Sequence, residues 1–264
     1  MGGSPWASFT ILNSVWAARR SGCWLVVACV PQQIVSVLDQ NFKISSFGDY
    51  ENVDWDSTIQ LMNRSDAICF GIWIEAGQWT IQQLVTKLLT DVSKPMILDA
   101  DWVKCIQGKT EELKDRKKRK LTTVLTLNMQ ETEHVFGSHH PDNDSVKDFS
   151  WDNWVYTLLK WPTSKIFTPN GDIAQISTND CPEMANAGSW DVLTGLIWWF
   201  MAQKWTPVES ILAAIQIRKA AAMDYLTKTG DVVAQPEDII QHIRYVIWLL
   251  HPSKFKYTIK GIKN

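Results

Sequence analysis

Glycine is scarce in this chain: 13 residues in 264, fewer than its 15 tryptophans. That excludes collagen-like and glycine-rich linker architectures, and it leaves few positions free to adopt a left-handed backbone. Charge of one sign is also lacking, with 26 Lys and Arg against 28 Asp and Glu and a formal net charge of −2. A nucleic-acid partner or a membrane surface therefore has no electrostatic support. No run of about 20 apolar residues and no signal peptide is present, so no membrane span is expected. The five cysteines lack metal-like spacing, and Cys23, Cys29 and Cys69 lie in apolar runs. Those are the marks of buried thiols in a reducing cytoplasm, not of a disulfide framework.

What is present is a 45% hydrophobic chain with ample material for one core. Helical spacing runs from Trp6 to Arg20, then Cys23 to Val30 is a continuous apolar run that Pro31 stops, as in a buried parallel strand. Short helices are expected at Ile34–Gln40 and Ile59–Arg64, a strand at Asp66–Phe70, a helix at Gln78–Asp91 and a strand at Pro95–Asp101. Lys109–Lys120 is a charge run that reads as a solvated helix face or loop. Strands follow at Thr122–Leu127 and Trp154–Lys160, a hairpin at Lys165–Thr168 and Ile173–Ile176, and helices at Val192–Gln203, Val208–Leu226 and Pro236–Leu250. Alternating helices and buried strands give an α/β fold with a parallel or mixed sheet covered on both faces. Without repeats or linkers, residues 1–264 count as a single domain. His139 and His140 sit in a polar stretch that reads as an exposed loop.

The chain turns on Asn186-Ala187-Gly188-Ser189-Trp190-Asp191, which leads directly into the mostly apolar Val192–Ile197. Gly188 permits unusual backbone angles, Ser189 is a candidate N-cap, and the free N–H groups that follow make an anion site. Asp191 falls in the first helical turn, where a carboxylate is favoured electrostatically. On the residues alone, an ordinary capped helix accounts for all of this. At the end of the 95–101 strand, Asp99 and Asp101 suggest either Mg²⁺ or a hydrogen-bonding lattice, with a cap and a structural aspartate as the plain alternative.

These residues together resemble the ADP/ATP-dependent NAD(P)H-hydrate dehydratases of the ribokinase-like superfamily. Asp191-Val192-Leu193-Thr194-Gly195 matches the family's Gly-Asp-Val-Leu-x-Gly helix, and Met201 to Ser210 matches its Ala-Gln-Gly-x-x-Pro-x-Glu-Ala. Leu98-Asp99-Ala100-Asp101 matches Leu-Asp-Ala-Asp, Asn128–Glu131 its Asn-x-x-Glu turn, and Lys160–Ser164 its Lys-Gly-x-x-Thr turn. The resemblance implies a ribokinase-like three-layer sandwich with a mostly parallel central sheet. It also implies ADP or ATP with Mg²⁺ as cofactors and dehydration of hydrated NADH or NADPH as the reaction. Asp191 would be the catalytic base and would also touch the substrate. Lys160, Trp161, Pro162, Thr163, Ser164, Gly188, Ser189 and Trp190 would bind the nucleotide, while Gly71, Trp73 and Asn128 would hold the hydrated dinucleotide. No metal ligand is assigned. The family's first strand, with its Lys-Gly motif, is expected to be missing, and an upstream epimerase domain is left open, as is a homo-oligomer. The alternatives are a ribokinase-like small-molecule kinase and a non-catalytic relative, the latter suggested by Ile217-Arg218-Lys219 standing for the family's Leu-His-Gly.

Trp24, Trp73, Trp161 and Trp190 stand where the family has glycine, and Lys204 does too. A bulky side chain is strained at positive φ and fills space that a phosphate needs. Three accounts compete: a degenerate relative that keeps the fold without catalysis, a deliberately altered sequence, or a gene whose UGA codons specify glycine but are rendered as tryptophan. Trp6, Trp151, Trp154 and Trp248 read instead as ordinary aromatic core residues.

Overall fold

The computed structural model describes residues 8–38, 43–46, 48–49, 52–70, 79–100 and 109–250. The elements in order are α1 (Ser8–Arg20), β1 (Val27–Val30), a 3-10 turn (Gln32–Val37), β2 (Lys43–Ser46), β3 (Gly48–Asp49), β4 (Asn52–Val53), α2 (Trp55–Asn63), β5 (Ile68–Phe70) and α3 (Trp79–Asp91). Then come β6 (Met96–Leu98), α4 (Thr110–Lys118), β7 (Thr123–Leu127), α5 (Met129–Phe136), α6 (Asn143–Asn153), β8 (Tyr156–Leu159), β9 (Thr163–Phe167) and β10 (Ile173–Ser177). A second 3-10 turn (Pro182–Met184) precedes α7 (Ser189–Ala202), α8 (Pro207–Thr229) and α9 (Pro236–Leu249).

The main sheet runs β10-β9-β8-β7-β6-β5, with β5 to β8 parallel and β9 and β10 antiparallel additions. Strands β5, β6 and β7 are buried along their whole length, which is why they read as runs without alternation. Phe70, Leu98, Leu125, Leu127 and Leu159 face α3 to α6 on one side. Ile97, Val124, Leu158 and Ile166 face α7, α8 and α9 on the other. That is the three-layer α/β sandwich expected. No helix among the described residues is long and apolar enough to cross a membrane.

Local chemistry sets several of the boundaries. Pro207 occupies the first position of α8, Thr206 and Glu209 close a capping box, and Gly230 ends the helix at φ 75°. The 109–120 charge run is a helix, tethered by buried Leu113 and Arg116. The sequence reading overlooked α5, eight residues long, the weakly amphipathic α6, and the short strands β2, β3 and β4. The expected helix at 34–40 is a 3-10 turn.

The tryptophans behave differently from the expectation. Neither Trp24, Trp161 nor Trp190 has positive φ, so their backbone is unstrained. Among the described residues, Ala100, Lys120, Trp154 and Lys204 are the left-handed non-glycine residues. Trp154, read as an ordinary core residue, caps α6 at φ 54°, the place glycine usually takes. Lys204, at φ 65°, keeps a glycine-type backbone where the family has glycine. Trp24 is 97% exposed. Trp73 lies outside the described residues.

Candidate active site

Three parallel strands end in polar residues one step past their last apolar position: Asp99 after β6, Asn128 after β7 and Lys160 after β8. Ligands of open α/β sheets bind at these carboxyl ends. The first turn of α7 lies over them and brings Asp191 into the same group.

Asp99 is the hub. Its Oδ1 accepts from Lys160 Nζ at 2.5 Å, Thr126 Oγ1 at 2.6 Å and the Ala100 N–H at 2.9 Å. Its Oδ2 accepts from Thr194 Oγ1 at 2.6 Å. Burial alone would push this carboxyl up, but the Lys160 ammonium and the two threonine hydroxyls outweigh it, and the net shift is downward. The same pairing reverses the effect of burial on Lys160, whose ammonium is held strongly in its charged form. Lys160 Nζ also lies 3.6 Å from Glu131, and its side chain is 3% exposed. Removing either member of such a buried pair leaves an uncompensated charge. Between the two readings of the strand-end aspartates, Asp99 takes the lattice; Asp101 lies outside the described residues. Ala100, in a left-handed conformation beside it, marks local backbone strain of the kind that collects at functional sites.

Asp191 differs from its neighbours in having no hydrogen-bond partner on its carboxylate among the described residues. It is 8% exposed, and burial pushes its carboxyl well above the ordinary aspartate range. Repulsion from Asp99 and then Glu131 adds to this, and Lys160 offsets part. Desolvation thus outweighs the favourable field of the helix N-terminus, and Asp191 is a stronger base than a surface aspartate.

The turn before α7 is a glycine site in the strict sense. Gly188 is the N-cap at φ 86°, and a Cβ there would sit 2.6 Å from Asn13 Nδ2 and 3.1 Å from Pro236 Cγ. The N–H groups of Gly188 and Trp190 make no backbone hydrogen bond among the described residues, whereas those of Ser189 and Asp191 bond Asn186 and Gly188 carbonyls. Ser189 does not cap the helix, because it is already the first helical residue and lies beside the Arg218 guanidinium at 3.4 Å. Trp190, expected to crowd the first turn, instead lays its ring on Arg218 at 4.1 Å and packs with the α7–α9 core. Arg218 also donates to the Ser189 carbonyl. Its guanidinium is buried without a carboxylate partner among the described residues, and desolvation brings its pKa down to about 9.

Of the residues expected to serve the site, Lys160, Asn128, Gly188 and Asp191 converge on the strand ends. Asn128 spends its amide on the capping box of α5, accepting from the Glu131 N–H and donating to its carboxylate. Trp161 packs edge-on against His140 and into the core, and Ser164 Oγ donates to the Trp161 carbonyl at 2.8 Å. Thr163 is half-buried at the start of β9 and Pro162 is exposed in the turn. Gly71 and Trp73 lie outside the described residues. The sequence reading missed Glu131 as a charge partner, along with Thr126, Thr194, Asn13 and Arg218. Only Glu131 carried a signal, as the end of Asn-x-x-Glu. Among the described residues no three His, Cys, Asp or Glu side chains form a metal cage.

The sequence profile described as NAD(P)H-hydrate dehydratase matches residues 2–244. The bifunctional NAD(P)H-hydrate repair enzyme Nnr of Salinibacter ruber is 29% identical over 241 residues, 85% of this chain and 43% of that protein. The chain spans less than half the length of the two curated relatives it matches first. Two solved structures are similar in fold. The ADP/ATP-dependent NAD(P)H-hydrate dehydratase of Bacillus subtilis, co-crystallised with ATP/Mg²⁺ and soaked with CoA, superposes with a TM-score of 0.75 at 20% identity, over 93% of this chain and 88% of that one. A ribokinase-like superfamily protein of Enterococcus faecalis gives 0.73 at 21% identity, over 93% and 84%.

Proposed function

The chain belongs to the NAD(P)H-hydrate dehydratase family, and on that premise we propose that it restores hydrated NADH or NADPH to the reduced dinucleotide at the expense of ADP or ATP. The observation that carries the proposal is Asp191: a buried carboxylate with no hydrogen-bond partner among the described residues, at the first turn of a helix and beside a fixed charge cluster.

Asp191 takes the proton of the substrate's ring hydroxyl as its oxygen attacks the terminal phosphorus of the nucleotide, and the bond to the departing nucleotide breaks. The carbon–oxygen bond then breaks with phosphate as leaving group, and loss of the neighbouring ring proton restores the double bond. The free N–H groups of Gly188 and Trp190 face the charge that builds on the phosphoryl oxygens. The Trp161–Ser164 turn borders the nucleotide, with Thr163 supplying the hydroxyl, since that of Ser164 is already engaged. Lys160 acts through charge rather than contact, holding Asp99 and Glu131 as a fixed field beside Asp191. Asn128 and the 71–73 turn border the hydrated nicotinamide. Mg²⁺ carried on the nucleotide phosphates would neutralise oxygen charge there.

The test supplies hydrated NADH with ATP or ADP. The expected result is recovery of the reduced nicotinamide absorbance, with one phosphate released per molecule restored. A stable phosphorylated product would instead make the chain a small-molecule kinase.

A further inference from the structure

A cavity of about 450 Å³ opens at the amino ends of the same strands, on the side of the sheet away from Asp191. Asp66, Lys94 and Thr122 line it from just before β5, β6 and β7, and Lys204 and Trp205 from the turn after α7. The lining carries the two ammonium groups of Lys94 and Lys204 against the single carboxylate of Asp66, an excess of positive charge. No carboxylate lies within ion-pair distance of Lys94 or Lys204 among the described residues. Behind the wall, the buried guanidinium of Arg116 donates to the carbonyls of Lys94 at 2.9 Å and Thr122 at 3.2 Å, and to Thr123 Oγ1 and the Val92 carbonyl. Every one of those partners is neutral, and the adjacent Asp115 is spent on Arg119 at 2.8 Å. Among the described residues the charge of Arg116 thus has no ion-pair partner, an expensive arrangement for a residue 1% exposed.

The negative end of α7 does not cancel this field. Its last carbonyls accept the N–H groups of Gln203, Lys204 and Trp205. Trp205 rests against Phe200, ring centroids 4.6 Å apart, and is 46% exposed, which leaves indole surface open to the cavity. Lys204 is held there by a left-handed backbone that a lysine adopts only at a cost.

We propose that this cavity is a second ligand site, for a small organophosphate with a planar ring: phosphate between Lys94 and Lys204, ring against Trp205. Two ammonium groups and the Arg116 field supply the counter-charge, and the volume falls in the range of small-molecule pockets. The site stands independently of the dehydratase reading, since it uses none of the residues at the strands' carboxyl ends.

Hydrogen exchange read by mass spectrometry tests it, with adenosine 5′-monophosphate as the probe. Protection is expected in peptides covering 94–95, 122–123 and 201–205, separately from any protection around 186–194. In the Lys94→Ala/Lys204→Ala double variant the protection at the amino-end peptides should require at least tenfold more ligand, with turnover of hydrated NADH unchanged. Protection confined to 186–194, no protection at all, or equal protection in the variant overturns the proposal. A failed dehydratase reading shows separately, as absent turnover in the unaltered chain.

Discussion

Asp191→Asn is expected to lower kcat by about 10²–10⁴-fold, the range for a lost general base, while making the protein more stable. The two effects share one cause. Burial, then repulsion from Asp99, raises the carboxyl's pKa in the folded state. The folded state therefore holds the proton more tightly than the unfolded chain. As pH rises from the ordinary aspartate value through the raised one, the protein loses stability; above both values the loss is complete and constant. Asparagine has no charge to strip of water and avoids that penalty. Each displaced pH unit weighs about 1.4 kcal/mol, and each kcal/mol moves Tm by roughly 2–4 °C in a chain of this size. A higher Tm than that of the unaltered chain at pH 8, with the difference shrinking to nothing near pH 4, is the expected signature in calorimetry. Nucleotide should still raise Tm in the variant, because Asp191 is not its anchor. Full turnover, or a variant less stable at pH 8, would contradict the role.

Gly195→Ala is expected to be the most damaging single methyl group in the chain. A Cβ at Gly195 would lie 2.2 Å from the Ser14 carbonyl oxygen and 2.9 Å from Ser14 Cα. These are backbone atoms of α1, so no rotamer relieves the contact and the two helices must part. Overpacking of this kind costs about 1–3 kcal/mol and sometimes more, against a helix-propensity gain of at most about 1 kcal/mol for replacing glycine. Activity should fall as well, because Ser14 Oγ donates to the Asp191 carbonyl at 2.8 Å and ties α1 to the catalytic turn. The check is a urea transition: a midpoint shifted to lower denaturant is expected, and an unchanged midpoint would show that α1 and α7 can separate freely.

The layers of the fold were legible because buried parallel strands have no polar face: Ile68–Phe70, Met96–Leu98 and Thr123–Leu127 announce themselves as runs. Helix α5 was not, being only eight residues long, nor was α6, whose polar sequence starts from the Asp142 cap and has little apolar periodicity. Within the site, Asp191 and Gly188 could be found because a small-residue turn before an apolar helix is a local pattern. The lattice around Asp99 could not. Thr126 and Thr194 lie 27 and 95 residues from it, and nothing local distinguishes them from other buried threonines. The environment of Lys160 was equally hidden: a strand-end lysine reads as a phosphate ligand until its carboxylate partners are placed. Trp190 shows a converse error, since its position in the chain suggested crowding and its ring went to Arg218 instead.

Burial, reinforced by repulsion from Asp99, makes Asp191 a strong base, and the pH dependence of kcat/KM for hydrated NADH tests this most directly. Protonation of the base removes activity, so the acid limb should report the cluster's apparent pKa. The account predicts half-loss at a pH well above the ordinary aspartate value of about 3.9, under conditions where the protein remains folded. Activity that stays level until the pH nears that ordinary value would contradict it.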